Sequence, residues 1–215
     1  MPKPKKRRLR KGNPIARRAA LHLVSVGISR EWVAIFGMVL GIFAGLSFFV
    51  THEIPSPHWF WLLGMIFCLL RISTIQIVGF LATSSSKELS EDEFFNELPE
   101  RVSDAVTLIG FGFAVYSSPW LGLAAALGAI FSAYVRSMGQ TMGANDKEAS
   151  RGPMTRTHRL ILISISSLLM ICSMSYEQFR TPIPQIALWT IVIGCGATIA
   201  LRLIGFTKLR RRKNS

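Results

Sequence analysis

From Trp32 to Val50 the chain runs without a single charged side chain. Coiled as a helix, that stretch is about 28 Å long, close to the thickness of a bilayer's hydrocarbon core. Five further stretches read as helices of membrane-spanning length. They are His58–Thr83, interrupted by Arg71; Phe95–Ser117, polar in its first two turns; Pro119–Met138; Thr157–Tyr176; and Ile183–Phe206. Half of the 215 residues are hydrophobic and only 17% are charged, against about a quarter in ordinary soluble domains. The charges are segregated between the apolar runs, which excludes an ordinary soluble globule and a disordered basic protein. The fold class expected is all-α, a polytopic membrane protein of six transmembrane helices.

Basic residues orient the spans. Of 25 Lys and Arg residues, 23 fall in the leader, the second-to-third and fourth-to-fifth connections, and the tail, where Arg202 is included. Arg180 lies in a loop on the other side and Arg71 within a span. The positive-inside rule then puts both termini in the cytoplasm, which an even number of spans satisfies. No cleavable signal peptide is read in the leader. The organisation expected is a basic cytoplasmic leader with an interfacial helix over 1–30, a six-helix transmembrane domain over 31–206 and a basic cytoplasmic tail over 207–215. The location is an integral one, in a bacterial inner (cytoplasmic) membrane. The net charge of +13 reads mainly as topology and contact with anionic headgroups. Without aromatic interleaving in the basic leader, no nucleic-acid partner is expected.

Small residues recur at every fourth position as Gly37, Gly41 and Gly45, and again as Ala125, Ala129 and Ala133. Such stripes let helix backbones approach closely, within one chain or between two copies. Cys68, Cys172 and Cys195 all fall within spans and read as small apolar residues. Ionisable residues inside a span are functional candidates by default. Arg71 and Asp104 each lie 13 residues from the outer end of their spans, at His58 and Ser117, so they are matched in depth and are expected to pair. Asn96, Glu100 and Asp104 are spaced by four and form one stripe of the third span. Arg136, Arg156 and Arg159 cluster at the inner headgroup level. They form a candidate cradle for a phosphate or lipid headgroup, which the planar arginine fork suits.

The RGPM…HR element before the fifth span and FFNELPERVSDAVTLIGFGFAVYSSPWLG across the third and fourth, with six spans, resemble the CDP-alcohol phosphatidyltransferase family. The resemblance covers the chain from about Ala16. It implies transfer of a phosphatidyl group from CDP-diacylglycerol to an alcohol, with CMP release, at two divalent metals, Mg or Mn. The family signature is Asp-x-x-Asp-Gly-x-x-Ala-Arg, eight residues, then Gly-x-x-x-Asp-x-x-x-Asp. Laid on this chain it keeps only Gly79 and Ala82, the remnants of its nucleotide side; its arginine falls on Thr83 and its second glycine on Asp92. Its four metal-binding aspartates fall on Ile75, Val78, Asn96 and Glu100. Hard cations want oxygen donors, which Ile75 and Val78 lack. The expectation is a degenerate family member without a resident metal or other cofactor, a pseudoenzyme. It would act by binding phospholipid or as a partner subunit in phospholipid metabolism, as a homodimer or in complex with another membrane protein. One alternative is an active transferase with an atypical site, in which Glu100 is the catalytic residue. A second alternative is a transporter or membrane scaffold.

Overall fold

The computed structural model describes residues 14–54, 57–84, 92–141, 152–173 and 182–213. Among these the chain is helical, with no strand. The helices are α1 (Pro14–Ser25), α2 (Arg30–Val50), α3 (His58–Ser84), α4 (Asp92–Gly112), α5 (Pro119–Thr141), α6 (Arg156–Cys172) and α7 (Pro182–Lys213). Two ends depart furthest from expectation. The last helix continues past Phe206 to Lys213, because Thr207–Lys213 contains neither glycine nor proline to stop it. The third expected span ends at Gly112 instead of Ser117, in a connection where Tyr116 takes a left-handed backbone (φ 63°).

Four helices, α2, α3, α5 and α7, are long and apolar enough to cross a membrane. Helix α4 has an acidic first half and α6 is 17 residues long. Both nonetheless belong to the same assembly. In contact order the six helices close a ring: α2 on α3, α3 on α6, α6 on α7, α7 on α5, α5 on α4, and α4 back on α2. Helix α1 lies outside the ring against α3 and seats Ala20 in a small apolar cluster with Val33, Ala34, Val78 and Leu81. Large apolar side chains face outward, Trp120 being 81% and Trp59 73% exposed. Apolar area of that extent on an outer surface is what lipid covers.

The glycine stripe of α2 is consumed inside the chain. A methyl group on Gly37 would collide with the Arg71 guanidinium, on Gly41 with Ser103, and on Gly45 with the Val106 carbonyl. Thr107 Oγ1 sits 3.0 Å from the Gly41 carbonyl oxygen and donates to it. Gly45 and Gly110 meet backbone to backbone, as do Gly112 and Gly122 where α4 crosses α5. The alanine stripe of α5 is likewise internal at Ala125 and Ala129, both fully buried. At the end of the bundle where α2 finishes, Phe48, Trp61 and Phe111 form an aromatic cluster with centroids 5.1–5.8 Å apart. Cys68 and Cys195 are buried thiols, Cys172 is exposed, and all three are free.

Candidate functional site

Helix α6 brings two arginines to the acidic stripe of α4. Thr155 caps α6, accepting from the His158 backbone N–H, and thereby fixes where Arg156 and Arg159 leave the helix. Asp104 is buried, and its Oδ2 accepts from Arg159 Nη2 at 2.5 Å and from Arg156 Nε at 3.3 Å. Arg156 also pairs through Nη1 with Glu100. One turn towards the start of α4, Glu97 pairs with Arg101. Two of the three stripe carboxylate or amide positions are thus engaged by α6; the side chain of Asn96 lies outside the described residues.

The segment before α6 is held on α7. Gly152 has φ 141°, a backbone that favours glycine, and a methyl group there would strike Thr198. The Met154 N–H donates to Thr198 Oγ1 at 3.0 Å, and the Met154 side chain packs on Gly194. His158 Nδ1 lies 2.7 Å from the Pro153 carbonyl oxygen. Gly152, Pro153 and Met154 therefore form a clamp that sets the start of α6 and, through it, the two arginines.

The expected Arg71–Asp104 ion pair is not formed. Arg71 is 1% exposed; its Nε donates to Ser103 Oγ at 2.9 Å and its Nη1 to Thr74 Oγ1 at 3.2 Å. Its Nη2 has no hydrogen-bond partner among the described residues. Equal depth in the membrane fixes height but not azimuth, and successive helix residues are turned by about 100°. Ser103 faces α3, while Asp104, the next residue, is turned towards α6.

Of the expected arginine trio, Arg136 and Arg156 line one cleft, and Arg156 and Arg159 share Asp104. Arg156 and Arg159 are committed to α4 carboxylates, and Arg159 Nη1 also lies 4.0 Å from Cys195 Sγ. Arg136 is exposed on α5 and lines a cleft of about 140 Å³ with Arg30, Glu97, Glu100, Arg101, Ala133, Gln140 and Arg156. Two residues of consequence escaped the sequence reading. Arg30, at the start of α2, lines that cleft. Arg202, counted with the basic tail, is buried and donates from Nη1 to the Ser132 carbonyl oxygen at 2.5 Å and to Ser132 Oγ at 3.0 Å. The signal that singled out Arg71, an ionisable residue within an apolar run, applies equally to Arg202.

Of the four positions on which the family signature's aspartates would fall, Ile75, Val78 and Glu100 have described side chains. Val78 is buried in the apolar cluster with Ala20, Val33, Ala34 and Leu81, and Ile75 packs against the main core. Neither offers an oxygen, and Glu100 is neutralised by Arg156. These residues do not fit a two-metal site. Gly79 has open space where a Cβ would stand, and Ala82 follows on the same helix.

No family model matches the sequence, and no curated protein matches it. Solved structures do. Phosphatidylinositol phosphate synthase (PgsA1) of Mycobacterium tuberculosis, with CDP-DAG bound, superposes with a TM-score of 0.68 at 15% identity, over 90% of this chain and 94% of that one. The same enzyme in complex with manganese and citrate gives 0.67 at 16% identity over 89% and 88%, and its apo form 0.63 at 18% over 90% and 94%. The likeness is one of fold, shared with that synthase across most of both chains.

Proposed function

We propose that this chain is an integral membrane protein that keeps the CDP-alcohol phosphatidyltransferase fold without its transfer chemistry. It serves phospholipid metabolism by binding a lipid headgroup, or as the partner subunit of an active enzyme. The reading takes all six ring helices as spans, with both termini in the cytoplasm of a bacterial cell and a homodimer as the default assembly. The observation that carries it is the apolar setting of Ile75 and Val78, where the signature would have two aspartates. Arg156 and Arg159 reinforce it, since they supply to Glu100 and Asp104 the positive charge that a metal would otherwise supply. The fold likeness to a phospholipid-synthesising enzyme favours this reading over a transporter.

The test follows CMP release from CDP-diacylglycerol by the purified protein, with Mg²⁺ or Mn²⁺ and a panel of alcohol acceptors. The expected result is no metal-dependent release above a protein-free control. Release that depends on metal and is abolished by Glu100→Gln would overturn the proposal. For the subunit role, pull-down from native membranes should recover a second membrane protein of phospholipid metabolism.

A further inference from the structure

At the end of the bundle opposite the arginines, the end of α2 and the connection from α4 to α5 enclose a pocket of about 510 Å³. That volume is in the range of small-ligand sites. Three aromatic rings line it, Phe49, Phe113 and Tyr116, together with one carboxylate, Glu53, and its neighbour His52. Phe49 and Phe113 are tilted at 47° to each other with ring centroids 5.7 Å apart. Tyr116 joins them from its left-handed backbone, and its carbonyl oxygen accepts from Gln185 Nε2 of α7 at 3.4 Å. Ser117 also lines the pocket, and its buried Oγ has no hydrogen-bond partner among the described residues. The lining contains no lysine or arginine. Among the described residues Glu53 has one ion-pair contact, with His52 at 3.6 Å, and that partner is charged only when protonated.

This lining has the chemistry of a site for an organic cation. Aromatic faces attract ammonium groups, and a carboxylate without a competing lysine or arginine adds its charge to theirs. A buried hydroxyl calls for a hydrogen-bond partner. A primary ammonium has N–H donors for both Ser117 Oγ and the Glu53 carboxylate, whereas a trimethylammonium has none. The surroundings point to a lipid as its source. Phe49 continues the exposed, outward stripe of α2 formed by Phe36, Phe43 and Leu46. Trp59 and Trp120, exposed at the starts of α3 and α5, belong to the same end, and exposed tryptophan gathers at membrane–water interfaces. The pocket therefore lies at headgroup depth beside the lipid-facing surface. We propose that it holds the primary ammonium headgroup of an aminophospholipid from the leaflet on that side, set among the three rings, Glu53 and Ser117. None of these residues stands at a signature position, so the inference goes beyond the reading above and holds whether or not the chain transfers phosphatidyl groups.

The test uses the full-length protein in nanodiscs with equal amounts of phosphatidylethanolamine, phosphatidylcholine and phosphatidylglycerol of matched acyl chains. Native mass spectrometry reads the lipid retained on release. Phosphatidylethanolamine should be retained over both of the others. Glu53→Gln should lower that preference about tenfold, the scale of one charge-assisted hydrogen bond. The Glu53 side chain is 70% exposed, so the substitution disturbs no core packing. Ser117→Ala should lower the preference severalfold without loss of thermal stability, because it removes a hydroxyl that has no partner in the protein. Glu31→Gln, the same change on an exposed residue at the other end of α2, should leave it unchanged. Equal retention of phosphatidylethanolamine and phosphatidylcholine, indifference to both pocket variants, or an equal loss in Glu31→Gln overturns the proposal. So does calorimetric binding of free ethanolamine in phosphatidylcholine nanodiscs without any lipid preference, which would assign the pocket to a soluble amine.

Discussion

Asp104 and Arg71 are both buried charges near the middle of the bundle, yet their surroundings predict opposite responses to substitution. Asp104 holds Arg159 directly and Arg156 more loosely. Removing one partner of a buried pair leaves the other charge uncompensated, typically at several kcal/mol. Asp104→Ala is therefore expected to lower stability by about 3 kcal/mol, read from thermal unfolding in detergent micelles. Arg71 donates hydrogen bonds only to hydroxyls among the described residues and has an orphaned Nη2. Arg71→Met replaces a costly buried charge with an apolar chain of similar length, so stability should stay within about 1 kcal/mol of the parent. If Arg71→Met unfolds the protein instead, its charge has a role that the hydroxyl contacts do not account for.

Among the elements, α2 is the one on which packing tolerance is least. Its small-residue stripe is legible in the sequence, and so is its purpose of close approach. What it approaches is not: the spacing of Gly37, Gly41 and Gly45 suits a second copy as well as a neighbour in the same chain. The structure answers with α3 and α4, because Ser103, Val106 and Gly110 present backbone or short side chains where the glycines leave space. Gly45→Ala places a methyl group against the Val106 carbonyl, which cannot swing aside, and should cost about 1–3 kcal/mol. Gly79→Ala meets nothing within 4 Å and should be neutral or stabilising by up to about 1 kcal/mol, since glycine is a poor helix former. Thermal denaturation of the two variants side by side checks the contrast. A homodimer, if formed, uses a surface other than this stripe.

For the whole molecule, the prediction is one of topology. If all six ring helices cross, a membrane-impermeant thiol reagent applied to intact cells should label a cysteine placed at Glu53. It should fail to label one placed at Arg18 or Thr207, in a background where Cys68, Cys172 and Cys195 are replaced. Labelling at Arg18 or Thr207 from outside would show that a terminus lies on the other face. Helices α4 and α6 are the ones at issue, because hydropathy alone admits only α2, α3, α5 and α7. Their place in the ring, each between two apolar helices, gives their polar faces an interior to point into.

Run length and the segregation of charge established the helices, because a lipid-facing backbone must satisfy its own hydrogen bonds within each segment. The same reading noted that Ile75 and Val78 carry no oxygen donor, since residue type is a property of sequence alone. Which charges meet was decided only by the tertiary structure. Depth along a helix can be counted from the sequence, but rotation about its axis depends on how neighbours pack. That is why Arg71 reaches Ser103 while Asp104 binds Arg159, why Arg202 leaves the tail for Ser132, and why Arg30 and Arg136, far apart in the chain, face one cleft.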